Sequence, residues 1–192
     1  MHTPYKIVNL KQGTSKWLEW RSQGLGASDA PAVLGESPWK TPEQLLQEKC
    51  GLAEKTGPNP AMKRGTALEP EARKSYEKTA GIRVFPACLQ SRKEDWLRAS
   101  LDGLSADGGA VVEIKCGNGV YRESASTGKV PNYYIGQLQH ILAITGLSVI
   151  DFWCYLPSRP EVHLRVNRDE NYIARLLEQE YAFWQLVLKQ RQ

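Results

Sequence analysis

The chain has 192 residues, 41% of them apolar and 24% charged, with 25 basic and 21 acidic side chains for a net charge of +4. This is an ordinary globular composition, long enough for one domain with a real core, and its mild positive charge permits a nucleic-acid partner without requiring one. No stretch approaches a membrane span and MHTPYKIVNLKQ lacks the apolar run of a signal peptide, so a cytoplasmic protein is expected. Cys50, Cys88, Cys116 and Cys154 include no Cys-x-x-Cys knuckle, and His2, His140 and His163 are scattered, which argues against an iron–sulfur or zinc module. A metal here would be held by carboxylates and would be hard: magnesium or manganese.

Helices come first. TSKWLEWRSQG predicts a short helix stopped at Gly24, and Ser28 has the position of an N-cap for DAPAVLG, with Gly35 as its stop. In WRSQGLGASD, Arg21 precedes a glycine-rich turn. Backbone N–H groups at a helix start, the Ser28 hydroxyl and the Arg21 guanidinium together make an anion site suited to a terminal phosphate; the alternative is a plain capped helix beside a surface arginine. Trp17, Trp20 and Trp39 are available to stack on bases or to fill the core. Thr41-Pro42-Glu43-Gln44 has the form of a capping box, opening a helix that ends at Cys50-Gly51. Residues 53–60, AEKTGPNP, read as a flexible joint between two helices. Asn59-Pro60 opens a helix over Ala61–Ala80, closed by Gly81. Met62, Gly65, Glu69, Ala72 and Tyr76 form one stripe along it. Glu69 is the acid in that small or apolar stripe, either reaching solvent at its edge or serving as a third carboxylate aimed at a metal.

Strands follow: IRVFPACL, DWLRASLDGL and AVVEIKC. In AVVEIKC, alternation puts Val112, Ile114 and Cys116 on one face and Val111, Glu113 and Lys115 on the other. Asp107-Gly108 is a two-residue hairpin signal. With that turn, Asp102 lies opposite Glu113 and Ser100 opposite Lys115, with Cβ atoms about 5 Å apart. A turn at Gly108-Gly109 sets Asp102 opposite Lys115 instead, and a three-residue loop breaks the shared face. Two carboxylates that close repel unless something neutralises them. A divalent cation with oxygen ligands at roughly 2.1 Å fits between their tips. The lysine can orient or deprotonate a water, or stabilise charge on a phosphate oxygen; as a base it needs a lowered pKa, which a nearby metal could supply. This is equipment for metal-assisted phosphodiester hydrolysis. The alternative is alternating charge on a solvated strand face.

Pro131-Asn132 introduces a helix to about Ile144, ending at Gly146. Gln137 lies with Tyr134, Leu138 and Ile141 on its inward side, where a glutamine needs partners: backbone, a phosphate or an attacking water. SVIDFWCYL is the next strand and EVHLRV its hairpin mate; the helical crossover from AVVEIKC implies parallel pairing. NYIARLLEQEYAFWQLVLKQ is an amphipathic helix with Ile173, Leu177, Tyr181, Trp184 and Leu188 on one stripe. The outline is a single α/β domain: a helical part over 1–80, a mixed sheet over 81–166 and a C-terminal helix over 169–190.

Asp102 followed by Glu113-Ile114-Lys115 resembles the Asp…Glu-x-Lys signature of the restriction-endonuclease-like nuclease superfamily. More narrowly, WRSQGLGASDAPAVLG, RGTALEPEA, SLDGLSADGGAVVEIKC and YYIGQLQHILAITG, in that order, resemble blocks of the phage lambda exonuclease family, the YqaJ-type viral recombinase nucleases. Leu101 stands where the superfamily often has proline before the aspartate. The resemblance implies a restriction-endonuclease-like mixed sheet and a processive exonuclease that digests one strand of duplex DNA from its 5′ end, leaving 3′ overhangs for a single-strand annealing protein. It implies Asp102, Glu113 and the Ile114 carbonyl as ligands of magnesium or manganese, two ions per site, with Lys115 acting on the water and Glu69 and Gln137 in support. It implies Arg21, Ser28 and Ser100 as the 5′-phosphate pocket, and a ring-shaped homotrimer in a bacterial host or encoded by a prophage. An endonuclease on the same fold, or a non-catalytic DNA-binding protein, is the rival reading. A two-carboxylate glycosidase leaves the lysine unexplained.

Overall fold

The computed structural model describes residues 3–53, 57 and 59–192. Half of the joint expected over residues 53–60 lies outside them. The chain opens with a strand, β1 (Tyr5–Val8), where only helices were expected. It pairs antiparallel with β3 (Val84–Ser91), Tyr5 opposite Ser91 and Val8 opposite Cys88. Four residues are too short for alternation to declare itself, and the partner strand is distant in sequence.

Helix α1 (Ser15–Ser22) is capped by the Thr14 hydroxyl. A two-residue strand β2 (Leu25–Gly26), a 3-10 turn (Ala27–Asp29) and a short α2 (Ala30–Val33) follow. Ser28 is therefore not the N-cap the sequence suggested. It sits inside the 3-10 turn; Asp29 occupies the cap position of α2 but turns its carboxylate back to accept from the Gly26 N–H at 2.9 Å. The Thr41–Gln44 capping box opens α3 (Pro42–Lys49) as expected, and Asn59 caps α4 (Pro60–Ala80), which ends at Gly81 with φ +69°. On α4, Ala72 and Tyr76 are buried while Met62 at the head of the expected stripe is exposed.

The described residues form one seven-stranded sheet in the order β1-β3-β4-β5-β6-β7, with β2 parallel to β4 off that path. Here β4 is Leu97–Ser105, β5 Val111–Lys115, β6 Val149–Cys154 and β7 Val162–Asn167. β5 and β6 are parallel, joined through α5 (Asn118–Thr127), which was not anticipated, and α6 (Asn132–Thr145), which was. β6 and β7 form the expected antiparallel hairpin. The architecture is thus the predicted mixed sheet flanked by helices, in a single domain.

The larger core joins Leu97, Leu101, Leu104 and Val111 of the sheet to Leu138 and Ile141 of α6 and to Ile173 and Phe183 of α7 (Glu170–Gln190). Each such side chain contributes roughly 1.5–3 kcal/mol by leaving water. On the opposite face Val84, Val112, Ile114 and Trp153 pack under Ala72 and Tyr76 of α4. The buried stripe of α7 is rotated from the expected one. Leu176, Glu180 and Val187 are buried, whereas Tyr181 is 53% and Leu188 40% exposed. A glutamate reads as outward-facing, and only a buried partner across the interface draws it in.

The β4–β5 hairpin keeps one expected register and changes its loop. Gly103 pairs with Val112 and Leu104 with Val111, and the Ser105 N–H donates to the Ala110 carbonyl at 2.9 Å. The loop is Ala106–Gly109, four residues rather than two, with Gly108 at φ +72°. One added residue on each side of Asp107-Gly108 preserves the parity of the Gly103 and Leu104 pairs.

Candidate active site

The site sits where β4 is interrupted along both edges. On the β3 side, Phe85 pairs with Leu104 and Ala87 with Leu101, so Asp102 and Gly103 together oppose only Pro86. Proline has no N–H to give the ladder, and the extra residue makes a β-bulge. The bulge reverses the alternation: Leu101 and Leu104, three apart, are buried in the same core. On the other edge β4 exchanges partners, pairing with β5 at Gly103 and Leu104 and with β2 at Leu97 and Arg98. Ser100 and Asp102 lie in the fork between. The β4–β5 pairing ends at Gly103, short of the Ser100–Lys115 pair expected from the hairpin register; Ser100 keeps Cys88 as its partner on the β3 edge.

In that fork, side chains replace the missing ladder. Asp102 Oδ2 accepts from the Ile114 N–H at 2.8 Å. Glu113 is only 3% exposed, and its Oε1 accepts from Lys115 Nζ at 2.8 Å and from Gln137 Nε2 at 2.6 Å. Lys115 Nζ also donates to Gln137 Oε1 at 3.1 Å. Gln137, read from sequence as an inward glutamine needing backbone, a phosphate or a water, is instead bonded to the side chains of Glu113 and Lys115. Two contributions to the site went unanticipated in the sequence. Arg73 pairs with Glu69 one helical turn away and donates through Nε to the Asp102 carbonyl at 2.7 Å, so the third carboxylate is tied to the bulge. Its signal was the four-residue spacing from Glu69. Tyr134 sits with its ring centroid 4.4 Å from Lys115 Nζ.

Burial, reinforced by the charges of Glu113 and Glu69, holds the Asp102 carboxyl well above the usual carboxylate range. Burial likewise raises Glu69 against the opposing pull of Arg73. Burial works to lower the Lys115 ammonium, but Glu113, Tyr134 and Asp102 outweigh it and the value is raised. Lys115 is accordingly a charged donor in this arrangement, and a cation held by Glu113 and Asp102 would offset the charges that raise it. The Cys116 thiol beside it is pushed up to about 12 by burial and by Asp102 and Glu69, so it stays neutral and unreactive.

The expected anion-binding residues meet the carboxylates across a cleft of about 180 Å³ lined by Arg21, Ser28, Ser100, Asp102, Glu113 and Gln137. Arg21 Nη2 donates to Ser28 Oγ at 2.7 Å, and its guanidinium lies 4.7 Å from the centroid of the Trp17 ring. Trp17 Nε1 donates to Ser100 Oγ at 2.8 Å. Freed from capping, the exposed Ser28 hydroxyl points its contacts toward Arg21.

Among the described residues no three His, Cys, Asp or Glu side chains stand together as a preformed metal cage. The donor set nonetheless fits a hard divalent ion of the kind that needs only one or two carboxylates besides water and phosphate. Glu113 Oε2 is buried without a partner, and burial and the like charge of Glu113 both disfavour the charged form of the neighbouring Asp102 carboxyl. Both conditions are relieved by a cation.

Residues 16–148 match the family model of the YqaJ-like viral recombinase domain. The chain belongs to this family. It is 27% identical over 181 residues to the uncharacterized protein YqaJ of Bacillus subtilis (strain 168), covering 92% of this chain and 57% of that one. It is 28% identical over 163 residues to the uncharacterized protein R354 of Acanthamoeba polyphaga mimivirus, covering 77% of this chain and 29% of that protein. The chain therefore spans less than two thirds of these two relatives. Among solved structures it is similar to LHK-Exo, an alkaline exonuclease from Laribacter hongkongensis, with 30% identity, a TM-score of 0.81 and coverage of 93% of this chain and 94% of that one. LHK-Exo in complex with dAMP matches at 29% identity and a TM-score of 0.82. A phage-related exonuclease from Haemophilus somnus 129PT shares the fold, at 14% identity and a TM-score of 0.63.

Proposed function

We propose that this YqaJ-like domain is a magnesium- or manganese-dependent exonuclease that degrades one strand of duplex DNA from a 5′ end. The observation that carries the reading is the convergence of Asp102, Glu113 and Lys115 in the fork of β4, with one Glu113 oxygen buried and unpartnered. Membership of the family and the similarity to an alkaline exonuclease support it.

Asp102 and Glu113 would hold the ion, with the Ile114 carbonyl as a further oxygen. The expectation of two ions comes from the family resemblance, and Glu69 would offer a third carboxylate toward the site. When bound, the ion would supply positive charge to polarise the phosphodiester and acidify water. The chain's own groups do the remainder. The Lys115 ammonium donates to a phosphate oxygen or orients the attacking water, and Gln137 fixes Lys115 and Glu113 relative to one another. Arg73 anchors Glu69 and the Asp102 backbone. Arg21 and Ser28, with Ser100 alongside, take the terminal phosphate as charge-assisted donors. Water adds to phosphorus, the bond to the 3′ oxygen breaks, that oxygen takes a proton, and a 5′-mononucleotide leaves. An endonuclease would have no use for an anion pocket beside the carboxylates, which favours attack at ends.

The same reading places the protein in the cytoplasm of a bacterial host, as a homotrimeric ring supplying 3′ overhangs to a single-strand annealing protein. A linear duplex labelled at its 5′ end, with and without magnesium and against a sealed circle, tests the activity. Linear DNA should be shortened only with the metal, and circles should survive. Glu113→Ala should lose nearly all cleavage, keep DNA binding, and lose the thermal stabilisation that magnesium gives the wild type. Retained cleavage in that variant contradicts the assignment.

A further inference from the structure

Trp39, on the loop between α2 and α3, is 65% exposed. A large indole left in water forgoes burial free energy unless something covers it in use. Its surroundings are fixed. The ring lies 5.0 Å from Tyr133 in a T-shaped pair and 5.7 Å from Tyr134, and the two tyrosines are 4.8 Å apart. The Tyr133 hydroxyl donates to Glu123 Oε2 at 2.7 Å. Tyr134 packs on Phe152 at 5.7 Å and carries the Lys115 ammonium at 4.4 Å. The loop is tied down as well: Ser37 Oγ accepts from the N–H of Trp39 at 3.2 Å and of Lys40 at 3.3 Å, and the Glu36 and Ser37 N–H groups donate to the Pro31 carbonyl. A continuous aromatic shelf thus runs from Lys115 to open solvent.

We propose that the Trp39–Tyr133–Tyr134 shelf is a base-stacking subsite that receives a nucleobase of the strand whose phosphodiester lies at Asp102, Glu113 and Lys115. The proposal rests on the nuclease reading of that site and deepens it. Continuity selects the occupant. Whatever covers the shelf is joined to the group held at Lys115, and in a nucleic acid a flat aromatic base is joined to its phosphate through a single sugar. A cation at the inner end and an apolar aromatic surface outward match a phosphate with its base. Stacking on an indole serves all four bases, as an enzyme advancing through arbitrary sequence requires. An indole on a tethered loop also loses little conformational freedom on binding.

The test is equilibrium binding in EDTA, read by fluorescence anisotropy of an end-labelled duplex in which one abasic tetrahydrofuran residue is moved along the last few nucleotides of a strand. Wild type, Trp39→Ala and Trp39→Phe are compared. On intact DNA, Trp39→Ala should weaken Kd about tenfold, and Trp39→Phe should retain most of the affinity. One abasic position should weaken wild type to a similar extent and add no loss in Trp39→Ala. Unchanged binding in Trp39→Ala, or losses that add at every abasic position, overturns the subsite. So does a change in the sedimenting mass of Trp39→Ala, which would make the loop a subunit contact. Because no metal is present, the result stands apart from cleavage; a wild type that leaves linear duplex intact with magnesium would strike at the nuclease reading instead.

Discussion

Lys49 Nζ lies 2.6 Å from Asp29 Oδ2, and the two side chains are 5% and 7% exposed. Lys49 also donates to the Gly24 carbonyl at 2.8 Å, while Asp29 accepts from the Gly26 N–H. The pair ties α3 to the glycine-rich turn that follows Arg21 and carries Ser28, so a buried charge pair shapes the proposed phosphate pocket from behind. Lys49→Met leaves the Asp29 carboxylate buried without its cation and should cost about 3–5 kcal/mol in urea unfolding at neutral pH. Burial acts to raise the Asp29 carboxyl, but Lys49 and Arg21 outweigh it and hold the value at about 2. A depressed acid stabilises fully above its ordinary value near 4 and loses that contribution as pH falls toward 2, here about 2 kcal/mol. The gap between wild type and Lys49→Met should therefore narrow below about pH 4. A gap of equal size at pH 6 and pH 3 would show that the ion pair is not its source.

Arg21→Ala should leave cleavage chemistry in place and remove discrimination between ends. The guanidinium reaches the cleft from α1 and bonds Ser28 Oγ, away from the carboxylates. Wild type should prefer a 5′-phosphorylated over a 5′-hydroxyl end by about tenfold or more, as a charge-assisted contact worth about 1.5–3 kcal/mol requires. The variant should treat both ends alike, through a higher KM for the phosphorylated one. A preference that survives the substitution would remove Arg21 from the pocket.

His140 is fully buried, with Nδ1 2.6 Å from Glu180 Oε1 and Nε2 2.8 Å from the Arg98 carbonyl. It lies one turn beyond Gln137 on α6 and holds that helix to both α7 and β4. Burial alone would lower its pKa, but Glu180, the Arg98 carbonyl and Asp29 raise it. A raised histidine stabilises fully below its unfolded value near 6.5, and the contribution is lost as pH rises through the folded value. His140→Leu should destabilise by about 3–5 kcal/mol, because Glu180 would keep a buried charge. The double variant His140→Leu with Glu180→Leu should recover most of this and show a flatter stability profile from pH 6 to 9. A double variant no more stable than the single one would assign the loss to packing.

Much of this was legible in the sequence, and what was not has physical causes. Alternation along Val111–Lys115 fixed the shared face of Glu113 and Lys115, and the parity of the Asp107-Gly108 turn survived a loop two residues longer than expected. The helix ends at Thr41, Asn59, Gly81 and Gly146 follow from local capping chemistry, which depends on nearby residues only. Three features depend on contacts distant in sequence and left no local trace. The bulge at Asp102 arises because Pro86, on another strand, cannot donate. The inward turn of Glu180 needs His140. The Ser28 hydroxyl bonds Arg21 rather than capping α2, whose cap position is taken one residue later by Asp29, held by Lys49 on α3. The arginine at position 73 could have been found, since a glutamate read as functional raises the question of what neutralises it four residues on.

Gly103, the second residue of the bulge, offers the most direct test of how backbone shape positions the carboxylates. A Cβ there would fall 2.6 Å from Val84 Cγ2 and 2.7 Å from Val112 Cγ1. Both are buried β-branched side chains with one strongly preferred rotamer, so neither can swing aside. Relief has to come from the backbone of β4, and the residue next to the displacement is Asp102. Gly103→Ala should cost about 1–3 kcal/mol in stability and reduce kcat about 100-fold, since a shift near 1 Å at a reacting group is enough for that. Restoring space with Val84→Ala in the same chain should recover part of the activity even though it opens a small cavity of its own. If Gly103→Ala cleaves DNA as fast as wild type, the bulge is not what aims Asp102, and the hydrogen bond from the Ile114 N–H is left as the element that does.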